Sequence, residues 1–300
     1  MIRRMLGAVS DMLLGPLGMR SVRATRLRER TPGSDRAAGF AARDEEAILR
    51  GLLGEMRPPH RFYVDIGASD GVKLSNTLGL ALEGWPGVCF EYDPGKVASL
   101  AVSYRELPQV RICRAKVTPR NVLGFLGAFA VPSDFGVLSL DIDSYDYFVL
   151  EALLAGYRPG VIITEINEKI PPPLCFTVLF DEDHGWDGTH FYGQSICQLE
   201  RLCASHGYAI AHVEYNNAFL VDARRFRGRA LTALESYDRG YRQRSDRRRE
   251  FPWNRDMEEV LTMAPEQAVA FLRRRFAGYE GRYSLSVGAP VDERRGTDAG

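Results

Sequence analysis

Through the middle of the chain, apolar residues fall in short runs that alternate with stretches where they recur at every third or fourth position. The runs predict strands at 62–66, 87–92, 110–113, 137–141 and 161–165, and the spaced stretches predict helices at 74–83, 95–104, 119–128 and 145–156. Upstream, residues 43–56 have helical spacing, and Pro58-Pro59 stops that helix. Strands alternating with helices build a parallel sheet covered on both faces. The stretch 168–188 is irregular and contains Pro171-Pro172-Pro173; a helix is expected after it at 190–206, ended by Gly207. Runs at 208–214 and 218–221 are separated only by Tyr215-Asn216-Asn217, a spacing that predicts an antiparallel hairpin. The sum is an α/β fold: a Rossmann-like sheet of seven strands, mostly parallel, with the last strand antiparallel.

Both ends read differently. Residues 1–40 are expected to be a flexible basic leader, because 20–38 are rich in Arg and turn formers. Residues 41–223 hold the α/β domain. Ten Arg fall between 224 and 249, helical spacing returns at 256–276, and the last dozen residues lack any pattern. Residues 224–300 are therefore expected to be an Arg-rich, partly helical extension with a disordered tail.

Composition narrows the function classes. The chain is 45% hydrophobic and 26% charged with a formal net charge of zero, so no overall field draws it to nucleic acid. Its five cysteines form no C-x-x-C pair, which fits neither a zinc site nor a disulfide framework, and reduced thiols point to the cytoplasm. No run is long enough to span a membrane. Residues 1–19 combine Arg3 and Arg4 with apolar positions, but Asp11 and Gly15-Pro16 break the apolar centre that a signal peptide needs. Peripheral contact with a membrane surface through this segment is the alternative to a mobile leader.

The chemistry begins where the first strand ends, in Val64-Asp65-Ile66-Gly67-Ala68-Ser69-Asp70-Gly71. Gly67 and Gly71 let backbone approach a ligand closely, and a helix start follows, with N–H groups to offer. A full G-x-G-x-x-G is absent, and Asp65 and Asp70 flank the turn. Carboxylates there repel a pyrophosphate and suit the ammonium of a methionine moiety, so S-adenosylmethionine is favoured over NAD. The second strand ends Phe90-Glu91-Tyr92-Asp93. An acid at that place can take ribose hydroxyls, with Glu91 the first choice and Asp93 the second, and Tyr92 can lie beside the adenine. The cofactor set is then Asp65, Gly67, Ser69, Asp70, Gly71, Glu91, Tyr92 and Asp141.

These residues carry a family resemblance. The segment Val64–Gly71, then Ser75-Asn76-Thr77, Glu83-Gly84-Trp85-Pro86-Gly87, Phe90-Glu91 and Leu138-Ser139-Leu140-Asp141-Ile142-Asp143, resembles the FkbM-type group of class I methyltransferases. The likeness spans about residues 60–222. It implies a seven-stranded Rossmann-like fold and methyl transfer from S-adenosylmethionine, commonly to a hydroxyl of a sugar, lipid or secondary metabolite. After the fourth strand, the family's usual Asp-Val-Glu-Gly type segment is here Asp141-Ile142-Asp143-Ser144.

Ligands of open α/β sheets bind outside the carboxyl ends of the strands. Strand four ends in Asp141 and Asp143, and strand five in Glu165-Ile166-Asn167-Glu168. A hydroxyl acceptor must lose a proton to a carboxylate, a His or a metal-bound group. Asp141, Asp143 and His190 are the catalytic candidates. Asp141, Glu165 and Asn167, with Asp143 beside them, form an oxygen set suited to Mg²⁺; the alternative is that Asp143 and Asp146 cap the next helix. Strand four lacks the Pro-Pro-aromatic turn typical of enzymes that methylate base amines, which favours an oxygen acceptor. The polar loop 181–195 is the expected acceptor site, with His184, Trp186, Asp187 and Tyr192 as contacts. Two rival readings stand beside this one: a non-catalytic cofactor-binding or scaffold protein of the same fold, and an RNA methyltransferase. The second is disfavoured because Arg224–Arg249 lacks interleaved aromatics suited to base stacking and is balanced partly by acids.

Overall fold

The computed structural model describes residues 40–288; the leader with its membrane-contact reading and the final tail lie outside the described residues. Its strands are β1 (His60–Ile66), β2 (Gly87–Glu91), β3 (Val110–Arg114), β4 (Phe135–Leu140), β5 (Val161–Glu165), β6 (Leu174–Val178), β7 (Tyr208–Glu214), β8 (Asn217–Asp222) and β9 (Tyr283–Val287). Seven of them form one sheet in the order β3-β2-β1-β4-β5-β8-β7. β8 runs antiparallel to both β5 and β7, while β1, β2 and β3 pair in parallel, as do β4 and β5. This is the mostly parallel seven-stranded sheet with a reversed strand that the alternating pattern predicts.

The described residues divide into two compact units, residues 40–46 with 63–116 and residues 47–62 with 117–288. In the first, Tyr63, Val64, Leu78, Val88 and Leu100 are fully buried. Gly87 opens β2 because a β-carbon there would lie 2.4 Å from the Tyr63 ring. The helix expected at 74–83 shrinks to Leu78–Leu82. Ser75 Oγ accepts the N–H groups of Thr77 and Leu78, and such side-chain bonds hold the preceding residues in turns.

In the second unit, Phe135, Val137, Leu138 and Leu140 of β4 are fully buried, as are Val161 and Ile162 of β5. The helix expected at 190–206 starts only at Ile196, since Ser195 caps it by accepting Gln198 N–H. The helical spacing at 256–276 resolves into a 3-10 segment, Pro252–Thr262, and an α-helix, Pro265–Arg275. Pro265 forces the break, as it cannot donate to the preceding turn. β6 and β9 form a separate two-stranded sheet, with Leu174 opposite Val287 and Val178 opposite Tyr283. Its apolar side packs with Phe191, Met257, Val260, Leu272 and Phe276 in a core of its own. Among the described residues no helix is long and apolar enough to cross a membrane.

Candidate active site

In the first unit the loop after β1 adopts left-handed backbone at Gly67 (φ 89°), Ser69 (φ 52°) and Gly71 (φ 74°). Gly71 has no room for a side chain: a β-carbon would sit 2.3 Å from Leu100 Cδ1 and 2.5 Å from the Tyr104 ring. The Tyr104 hydroxyl also donates to Gly71 O at 3.0 Å. Asp70 Oδ1 accepts the N–H groups of Val72 and Lys73, both at 2.9 Å, and so shapes the turn. Asp65 is buried and accepts the Thr77 hydroxyl at 2.6 Å.

Glu91 is the pivot of this unit. It is buried, and its Oε2 accepts Ser69 N–H at 2.8 Å across to the loop. Its Oε1 accepts Tyr92 N–H at 2.7 Å and Asp93 N–H at 2.8 Å. The expectation that Glu91 stands ready for two ribose hydroxyls is thus sharpened: three of its acceptor places hold backbone. Asp93 caps the helix Pro94–Ser103 through Lys96 N–H at 2.8 Å. Tyr92 presents its ring to solvent, 60% exposed, with Lys116 Nζ 5.6 Å from the ring centre.

In the second unit the ends of β4 and β5 bring carboxylates together. Oxygens of Asp141, Asp143 and Glu165 lie within 4.8 Å of one another. Asp143 reaches this place with φ 55°. Burial, and then the nearby Asp141 and Asp143, push the Glu165 carboxyl well above the usual carboxylate range. Asn216 Nδ2 donates to Glu165 Oε1 at 2.8 Å. Asn167, expected among the oxygen ligands, is buried; its Nδ2 donates to the carbonyls of His190 at 2.9 Å and Tyr192 at 3.0 Å, because buried loop carbonyls need donors, while its Oδ1 accepts no hydrogen bond from the described residues.

Asp146, expected as a cap, is instead the first residue of the helix Asp146–Leu154; the cap position is Tyr145, whose side chain makes no capping hydrogen bond. Asp146 reaches backward, accepting Ile142 N–H at 2.8 Å and Ser144 N–H at 3.0 Å. Burial pushes its carboxyl up to about 6, even though these N–H groups favour the charged form. Raised above its unfolded value, Asp146 contributes stability that is complete below about pH 4 and lost as pH rises through about 6. Urea melts of the wild type should show this loss, on the order of 3 kcal/mol. In Asp146→Asn the same interval should be flatter; an unchanged slope would assign the effect to another group.

The loop before residue 195 is sewn to the strand ends. Gly193 N–H donates to Ser144 O at 2.9 Å, and Asn167 N–H donates to Gln194 O at 2.8 Å. Within it, His184 is buried and its Nδ1 meets Arg282 at 3.0 Å. Trp186 is 52% exposed, with its Nε1–H on Thr189 O. Asp187 accepts the Tyr279 hydroxyl and is held below the usual carboxylate range by it. His190 Nε2 lies 3.0 Å from Asp256 Oδ1, and Arg275 also contacts Asp256. Burial and then Lys169 lower the His190 pKa, while Asp256 opposes them. Of the expected acceptor contacts, only Trp186 and Asp187 are open to solvent; Tyr192 is buried.

A polar network that the sequence reading missed lies just past β5. Glu168 and Lys169 are both buried, with Lys169 Nζ 3.1 Å from Glu168 Oε1. Lys169 Nζ also donates to the Tyr192 hydroxyl at 2.6 Å, which donates to Glu168 Oε2 at 2.9 Å. Asn254 Nδ2 donates to Glu168 Oε1, and the Tyr237 hydroxyl donates to Glu168 O. Burial alone would raise the Glu168 carboxyl, but Lys169 and Asn254 outweigh it and hold it below its ordinary value. One signal was available: Lys169 is one of only four lysines in an Arg-rich chain.

No known family model matches the sequence, and no curated protein sequence matches it either. Solved structures to which the chain is similar include the N-terminal domain of EvdMO1 with SAH bound, at 12% identity and TM-score 0.43, covering 77% of this chain and 98% of that one. A putative O-methyltransferase from Klebsiella pneumoniae is similar at 16% identity and TM-score 0.40, covering 74% and 100%. Magnesium protoporphyrin IX methyltransferase (ChlM) from Synechocystis PCC 6803 with bound SAM is similar at 11% identity and TM-score 0.35, covering 59% and 76%.

Proposed function

We propose that this chain is an S-adenosylmethionine-dependent methyltransferase of the FkbM type that acts on a hydroxyl of a sugar, glycolipid or secondary metabolite. The observation that carries the reading is the tether between the left-handed loop Gly67–Gly71 and Glu91, made by Ser69 N–H on Oε2. It fixes a backbone cradle beside a strand-end acid. A carboxylate has about four acceptor places, so one remains on Glu91 for a ribose hydroxyl. The exposed Tyr92 ring is free to stack on the adenine. The cofactor when bound supplies a methyl group on a sulfonium, a good leaving group for in-line displacement.

The chain's own part is to position the acceptor and take its proton. In the second unit His190, oriented by Asp256 through Nε2, offers Nδ1 as a proton acceptor. Asp141, Asp143 and Glu165 fit a hard cation such as Mg²⁺ by donor type and spacing. Such an ion would relieve their crowding and polarise an acceptor hydroxyl. The five cysteines are unpaired, which supports a reducing, cytoplasmic setting for this activity.

Transfer of a labelled methyl group from S-adenosylmethionine to a panel of sugar, lipid and phenolic hydroxyls tests the reading. Turnover of one acceptor class is expected, with loss in His190→Ala. Cofactor binding without transfer to any acceptor would instead favour the scaffold reading. Glu91→Ala should weaken S-adenosylhomocysteine binding at least about tenfold, since it removes both a charge-assisted ribose bond and the loop tether. Unchanged affinity would move the ribose contact away from Glu91.

A further inference from the structure

A cavity of about 540 Å³ lies in the C-terminal part of the second unit, lined by Arg248, Phe251, Pro252, Arg255 and Glu258. Its size is within the range of small-molecule sites. Its charge is uneven. Arg247 Nη2 and Arg248 Nε both donate to Glu258 Oε2, at 2.8 and 2.9 Å, so the one carboxylate in the lining is spent on two guanidiniums. Arg248 donates through Nε alone, and Arg255 makes no ion pair among the described residues. A positive surplus therefore faces the cavity. Phe251 of the lining is buried, and Trp253, outside the lining, packs edge-on to it at 5.4 Å while remaining 62% exposed.

Guanidiniums pair with phosphate oxygens through a planar fork, and an exposed indole offers a face to a flat ring. We propose that this cleft binds a nucleoside diphosphate, with the diphosphate on Arg248 and Arg255 and the base against Trp253. A free nucleotide suits the site better than RNA. Among the described residues, Arg242 and Arg249 are already paired with acids, Asp238 and Glu250, so these arginines do not carry the positive surplus away from the cavity as a basic track. The site is independent of methyl transfer.

Calorimetric titration of the full chain with UDP, uridine, pyrophosphate and glucose 1-phosphate tests it. UDP should bind more tightly than the other three. Arg255→Ala should weaken UDP about tenfold, and Trp253→Ala about fivefold or more, with S-adenosylhomocysteine affinity unchanged in both. Both side chains are exposed, so neither change threatens the fold. The assignment is overturned if UDP does not bind, if pyrophosphate or glucose 1-phosphate binds as tightly, or if Arg255→Ala leaves UDP affinity untouched. A single-stranded oligoribonucleotide that outcompetes UDP would replace it with a nucleic-acid site.

Discussion

Lys169→Met is expected to destabilise the protein by about 3–5 kcal/mol, the cost of leaving a buried partner charge uncompensated. Lys169 and Glu168 are 2% and 0% exposed, so water cannot replace the lost ammonium. The Glu168 carboxylate would keep the Tyr192 hydroxyl and Asn254 amide but lose the only cation bonded to it among the described residues. Its pKa, now held down by Lys169, should rise, and the variant should regain part of its stability at acid pH as Glu168 takes a proton. The double variant Glu168→Gln/Lys169→Met should be less unstable than the single one, because no charge is then stranded. Urea melts of the two variants, beside Lys73→Met at an exposed position as control, measure this. A Lys169→Met change within about 0.5 kcal/mol of wild type would show that the pair carries no such weight.

Gly71→Ala is expected to cost roughly 2–5 kcal/mol and to abolish cofactor-site binding. Two separate penalties add. The left-handed backbone at φ 74° costs an alanine about 1–2 kcal/mol. The new β-carbon would meet Leu100 Cδ1 at 2.3 Å and the Tyr104 ring at 2.5 Å, and such overpacking costs about 1–3 kcal/mol. Relief requires the loop to lift away from Tyr104, which breaks the Tyr104 bond to Gly71 O and shifts the Ser69 tether to Glu91. Leu100→Ala should partly rescue stability by opening space, though not the backbone strain. Chemical denaturation and S-adenosylhomocysteine titration of both variants measure the two effects. A stable Gly71→Ala with intact binding would mean that the loop adapts freely.

How far the sequence could be read depends on how local each feature is. The main sheet was legible because strand runs and helical spacing are local, and the gap of Tyr215-Asn216-Asn217 between runs allows only a hairpin. The β6–β9 pair was not, since its strands lie more than a hundred positions apart and Leu174–Val178 sits in an otherwise irregular stretch. At the site, residue type picked out Gly67, Gly71 and Glu91, but not that Glu91 would bind three backbone N–H groups. That choice is made by loop geometry. Asn167 was picked for its amide oxygen, but that its Nδ2 would hold two loop carbonyls of its own unit is set by loop geometry and not by residue type. The Glu168 network escaped notice because it is assembled from residues 168, 169, 192, 237 and 254, which are scattered along the sequence, so the rarity of Lys169 alone did not reveal its partners.

The central claim rests on the first unit, and isothermal calorimetry of the wild-type chain with S-adenosylhomocysteine tests it most directly. The account predicts saturable one-to-one binding tighter than about 100 µM, lost in Gly71→Ala and weakened in Glu91→Ala. Absence of binding at high micromolar ligand, or binding indifferent to both substitutions, would contradict it.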